Sequence, residues 1–216
     1  MPSTAVSSPS LILASSSPRR IELIKNLGLK FEILPSDLDE IVNAALTPSE
    51  VVAELAESKA ARVRELVQER GGATAQEHHV ILAADTIVVF EGDILGKPID
   101  RDHAIAMLTR LVGNTHEVYT GVHVISVNHS SKNDPAVVAH HEIEVAKVEF
   151  RKLSAIEIAN YVDSKEPMDK AGSYALQGIG AFMINKIEGS PSNIIGLPLV
   201  RTIELLRKCG VQIMGE

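Results

Sequence analysis

The chain has 216 residues, 45% of them hydrophobic, with 3% aromatics, no tryptophan and a formal net charge of -7. That length supports a real core, in one large domain or two small lobes, built mainly from Ile, Leu, Val and Ala. Net acidity argues against nucleic-acid binding, which needs a basic face, but leaves room for a small anion in a local basic pocket.

Cys209 is the only cysteine, so no intrachain disulfide can form and a reducing compartment fits. No apolar run approaches the ~18 residues of a transmembrane helix. The first residues carry neither the basic start nor the apolar stretch of a signal peptide. The sequence thus predicts a cytoplasmic protein with no membrane partner, a disordered lead-in over 1–9 and a single domain over 10–216.

Residues 10–14 (SLILA) read as a short buried strand that feeds a helix. Ser17 as N-cap and Pro18 at the first helical position mark the helix start, and Gly28 marks its end. Arg19 and Arg20 come next, at the positive end of the macrodipole, where a cation costs a few tenths to about 1 kcal/mol. FEIL (31–34) is a second strand, and SDLDE, with Asp37, Asp39 and Glu40, is an acidic loop. Thr47-Pro48-Ser49-Glu50 forms a capping box opening a helix to about Glu69, and 71–79 is a polar connection.

VILAADTIVVF (80–90) holds two apolar runs interrupted by Asp85. A turn at EGD leads through ILGKP to a helix from near Asp100 to Gly113. Two long strands, 116–127 and about 136–150, flank a loop and pair antiparallel. Ser154 and Glu157 box a helix ending near Asp163, AFMINKI (181–187) is a strand, and Pro198 opens a last helix stopped by Gly210. Strands alternating with helices, plus one long hairpin, predict an α/β fold with a mixed sheet.

Besides the two arginines, several residues break local rules. At about 100° per residue, Val52, Leu55, Ala56, Val63 and Leu66 share one helix face, and Lys59 falls near the centre of that stripe. Either its ammonium snorkels to the surface or it is aimed into a cleft to meet an anion. Asp85 either caps a turn or stands at the end of a central strand, the usual ligand position in open α/β sheets. There a carboxylate can hold a divalent cation or take a proton from water. Lys97, in GKP, precedes a proline that forces extended backbone. Asp169-Lys170-Ala171-Gly172 is a loop whose small residues permit close backbone approach.

The adjacent pairs His78-His79 and His140-His141 lack zinc-site spacing. No Walker A sequence, GxSxG or dinucleotide fingerprint is present. Arg19, Arg20, Lys59, Lys97 and Lys170 supply cations, Asp85 and Glu40 supply oxygen ligands for a hard metal, and the helix start supplies N–H groups. That set suits a polyphosphate.

Five motifs, ASSSPRR (14–20), AADT (83–86), GKP (96–98), DKAGSYALQG (169–178) and GLPL (196–199), carry a resemblance. In order and spacing, over about residues 11–209, the chain resembles the Maf family. The resemblance implies a Maf-like, ITPase-like fold: an elongated mixed sheet with flanking helices, two lobes around a central cleft, and often a homodimer. It implies hydrolysis of a nucleoside triphosphate to the monophosphate and pyrophosphate with a divalent cation, Mg²⁺, Mn²⁺ or Co²⁺.

Asp85 matches the family's catalytic aspartate, a proton acceptor that would share the metal with Glu40. Ser15, Arg20, Lys59, Lys97, Asp169 and Lys170 match its other polar site positions, and Ser17 belongs to the phosphate-holding segment. Arg19, Thr86 and Gln177 match the positions that sort substrates, in a combination that resembles the branch acting on dTTP and UTP. A sister branch acting on 7-methyl-GTP carries Trp, Gln and Glu instead. The Gln177 amide offers one donor and one acceptor, which suits the O4 and N3–H edge of uracil or thymine, including modified pyrimidines.

Departures from near relatives are Ala175-Leu176 in place of Gly-Ile, the 128–135 loop and the N-terminal lead-in. Two rival classes are a non-catalytic nucleotide-binding regulator of division and, disfavoured by the net acidity, a nucleic-acid-binding factor.

Overall fold

The computed structural model describes residues 9–38, 43, 45–70, 78–128 and 136–214. In chain order its elements are β1 (Ser10–Leu13), α1 (Pro18–Asn26), β2 (Phe31–Ile33), α2 (Pro48–Glu69), β3 (His78–Phe90), β4 (Asp93–Leu95) and α3 (Arg101–Leu111). They continue with β5 (Thr115–Asn128), β6 (Ala136–Phe150), α4 (Ala155–Asp163), β7 (Ile184–Glu188), α5 (Pro191–Ile195) and α6 (Leu199–Lys208). One mixed sheet runs β2-β1-β3-β5-β6-β7, with β4 beside the far end of β3. The β2-β1-β3 part is parallel and the remaining pairs are antiparallel.

Alternation along β3 distributes the core. On one face Val80, Leu82 and Ala84 pack with Leu23 and Ile24 of α1 and Leu205 and Leu206 of α6. Farther along that face Val88 and Phe90 join Ala104 and Leu108 of α3 and Ile158 and Val162 of α4. Thr86 falls between the two clusters, so β3 is shared by two lobes and its polar residue marks their junction. The opposite face, from Ile81 and Ala83 to Ile87 and Val89, is covered by α2. That helix seats closely because Gly121, paired with Asp85 across β3–β5, has no side chain; a Cβ there would run into the Val52 carbonyl.

Register creates the functional opening. β1 pairs with β3 only from Ser10↔His79 to Leu13↔Leu82, and β4 pairs only at Val88–Phe90. Along 83–87, β3 has β5 on one side and, among the described residues, no strand on the other. The chain leaving β1 turns there into α1.

Several sequence expectations are refined. Asp85 does not break its strand: β3 is continuous over 13 residues and includes His78 and His79, which the sequence places in a polar connection. The AFM of AFMINKI lies in a 3₁₀ turn and the strand begins at Ile184. β4 and α5 are additional short elements. The lead-in except residue 9, Asp39 and Glu40 of the acidic loop with the two residues after them, and 71–77 and 129–135 lie outside the described residues. Among the described residues no helix is long and apolar enough to cross a membrane.

Candidate functional site

A cavity of about 410 Å³ occupies the gap beside β3. Its deepest charged groups are Asp85 and Lys59, 4% and 8% exposed. Lys59 reaches from α2 to Asp85, with Nζ 2.5 Å from Oδ1. Of the two readings left open for Lys59, the structure realises the inward one. A buried ammonium and a buried carboxylate compensate each other, where either alone would be strongly unfavourable. This pairing is why an aspartate is tolerated inside an apolar strand.

The start of α1 forms one wall. Ser17 occupies the N-cap position but its side chain caps no helical N–H; its own N–H donates to Ser15 Oγ at 3.2 Å. First-turn N–H groups therefore remain beside the cavity, an arrangement that favours an anion. Arg20 is braced: Nε donates to the Gly196 carbonyl at 2.8 Å, Nη2 to Thr86 Oγ1 at 3.1 Å and Nη1 to Ser15 Oγ at 3.4 Å. Thr86 Oγ1 lies 2.9 Å from Thr120 Oγ1, and the buried Thr120 hydroxyl donates to the Asn193 carbonyl. The cation in the first turn of α1 is thus fixed by a polar chain running through the lobe junction.

The opposite wall comes from the 3₁₀ segment after α4. Lys170 Nζ donates to Asp169 Oδ1 and to the Glu166 carbonyl, both at 2.6 Å. Asp169 also faces Arg19, 3.7 Å away. Burial opposes ionisation of Asp169, but Lys170 and Arg19 outweigh it and hold the carboxyl below its usual range. Lys97 lines the cavity from the exposed arm after β4, which is tied to this wall where Gly172 N–H donates to the Gly96 carbonyl at 3.0 Å. Gln177 completes the wall, and Tyr174 backs it, bonded to the buried His116 Nε2 at 2.8 Å. Burial pushes His116 down to about 4, so its imidazole is neutral at physiological pH.

Ser15, Ser17, Arg19, Arg20, Lys59, Asp85, Thr86, Lys97, Asp169, Lys170 and Gln177 therefore share one cavity. Glu40 lies outside the described residues. Among the described residues, five cationic side chains face three carboxylates, Asp37, Asp85 and Asp169, so this described lining is basic in an acidic chain.

Among the described residues no three His, Cys, Asp or Glu side chains gather as a metal cage. One deep carboxylate in an anion-attracting cavity does fit a hard cation of the Mg²⁺ kind. Such ions keep several waters and take one or two carboxylates plus substrate phosphates. Sequence reading overlooked Thr120, Asn193, Glu166 and Tyr174, because none of them breaks a local pattern and only the fold reveals its partners.

The sequence model of the Maf-like protein family matches residues 10–209. This chain belongs to the Maf family. A Maf relative from Caldicellulosiruptor bescii, named dTTP/UTP pyrophosphatase, is 44% identical over 207 residues, covering 95% of this chain and 98% of that protein. Another of the same name, from Hahella chejuensis, is 43% identical and covers 95% of each chain. Among solved structures, the dITP/XTP pyrophosphatase of Mycobacterium abscessus aligns with a TM-score of 0.34 at 12% identity, covering 92% of this chain and 97% of that one.

Proposed function

We propose that this Maf protein is a nucleoside triphosphate pyrophosphatase acting on dTTP and UTP. The observation that carries the reading is the buried Lys59–Asp85 pair at the depth of a cation-lined cavity. Full-length relatives named for this activity support it.

In the proposed reaction a water oxygen attacks the α-phosphorus and the bond to the bridging oxygen of the β-phosphate breaks. The monophosphate and pyrophosphate leave. Lys59 occupies Oδ1 of Asp85 and orients the carboxylate, and Oδ2 is assigned to take the water's proton. Arg20, Lys97 and Lys170, with Ser15, Ser17 and the first N–H groups of α1, hold the triphosphate in line. Asp169 keeps Lys170 and Arg19 aimed at the cavity. Asp85 and Glu40 would hold the divalent cation, Mg²⁺, Mn²⁺ or Co²⁺, whose contribution is to neutralise charge on the phosphate oxygens.

For base choice, Gln177 presents its amide to the O4 and N3–H edge of uracil or thymine. Thr86 is engaged with Arg20 and Thr120, so its influence on substrate runs through the placement of Arg20. A homodimer working in the cytoplasm belongs to the same proposal. Val137 and Val145, exposed on one face of β6, offer apolar surface for a second copy.

The test incubates the protein with UTP or dTTP and Mg²⁺ or Mn²⁺, then resolves the products. Equal amounts of monophosphate and pyrophosphate are expected. Diphosphate with inorganic phosphate would contradict the reading. Tight binding without turnover would instead favour a nucleotide-sensing regulator.

A further inference from the structure

We propose that Glu166 is a positioning residue for base selection, clamping the loop that carries Gln177. It rests on the assignment of Gln177 to the base. Gln177 is exposed in the 175–180 loop, outside any α-helix or strand, so nothing in its own backbone ladder fixes where its amide points. What fixes the loop lies behind it. The Glu166 carboxylate accepts the Ile179 N–H at 2.9 Å through Oε2 and the Gly180 N–H at 2.8 Å through Oε1. The Tyr161 hydroxyl donates to Oε1 at 3.0 Å, and the Ala175 N–H lies against that hydroxyl. Tyr161 and Glu166 thereby hold the loop at both ends, two residues before Gln177 and two to three after it.

The loop is shaped to this clamp. Gly178 has φ +108°, and a Cβ there would run into the Glu166 carboxylate. At Gly180 a Cβ would fall 2.6 Å from both the Tyr161 hydroxyl and the Ala175 carbonyl. Among the described residues, the three groups hydrogen-bonded to the Glu166 side chain are donors. A carboxylate can accept from all of them, whereas the NH₂ of a glutamine amide would oppose one. Lys170 bonds the main-chain carbonyl of Glu166 and also feels the charge of its carboxylate, so neutralising the side chain keeps that bond and leaves the Lys170 ammonium no weaker toward phosphate, while the base end loses its clamp.

The experiment compares wild type with Glu166→Gln, and with Tyr161→Phe as a milder variant that keeps the ring of that buried residue. Calorimetry measures affinity for the α,β-methylene analogues of UTP and CTP, and for inorganic triphosphate. Wild type is expected to prefer the UTP analogue. In Glu166→Gln that preference falls about fivefold to tenfold, the equivalent of one or two well-placed hydrogen bonds, while affinity for inorganic triphosphate does not fall. Tyr161→Phe shows a smaller change in the same direction.

Wild-type preference retained in both variants, equal loss for triphosphate and nucleotide, or no preference in wild type would each overturn the clamp. Preference in binding without any turnover by wild type would instead remove the pyrophosphatase reading and leave the clamp standing.

Discussion

Asp85 and Lys59 are each only tolerable because of the other. The carboxylate is 4% exposed on a strand where Ala83, Ala84, Thr86 and Ile87 flank it, and the ammonium is the one charged group on the buried stripe of α2. In Asp85→Asn the amide oxygen still accepts from Lys59 but has no affinity for a water proton. Turnover of UTP is therefore expected to fall by roughly 10²–10⁴-fold, the usual weight of a general base. The far-ultraviolet circular dichroism of the folded variant should stay that of wild type, while urea unfolding shows a loss of roughly 3–5 kcal/mol because Lys59 keeps its buried charge without the counter-charge. A near-normal kcat in the folded variant would remove Asp85 from the role of base.

At the scale of elements, α1 and α2 begin alike in sequence, each with a hydroxyl residue followed by proline, and differ in structure. Thr47 and Glu50 close a full capping box, with the Glu50 carboxylate accepting the Thr47 N–H at 2.8 Å. Ser17 caps nothing, and its helix opens onto the cavity. Thr47→Ala is thus expected to cost about 1 kcal/mol in urea unfolding. Ser17→Ala should cost a few tenths at most and act instead on triphosphate affinity. Equal destabilisation by the two would contradict a ligand-directed start for α1.

The longer elements were legible because period, caps and breakers agree: Ser154 with Glu157 at α4, Gly28 after α1, alternation through β5 and β6. The short ones were not. β4 and α5 are held by what they pack against, and a three-residue strand carries no period to read. Asp85 looked like an interruption because its compensating charge arrives from a residue 26 positions away.

At the scale of the molecule, the site is a consequence of unequal strand lengths. β3 and β5 run through both lobes, β1 covers only the first part of β3, β4 only the last, and the gap between them is where the cationic side chains converge. The motif residues, Glu40 lying outside the described residues, do line one cavity, but their arrangement in it was not readable from sequence. Nothing local shows that Arg20 is locked by Gly196 and Thr86, or that Asp169 bridges Arg19 and Lys170. Those contacts join segments up to 176 residues apart and exist only once both lobes have folded on the shared strands.

Hydrolysis of UTP in ¹⁸O-labelled water, with the label located by mass spectrometry, shows which phosphorus the water in this cleft attacks. Label in the uridine monophosphate, with unlabelled pyrophosphate, is the predicted result. Label in the pyrophosphate would place the attack on the β-phosphorus and contradict the proposed reaction.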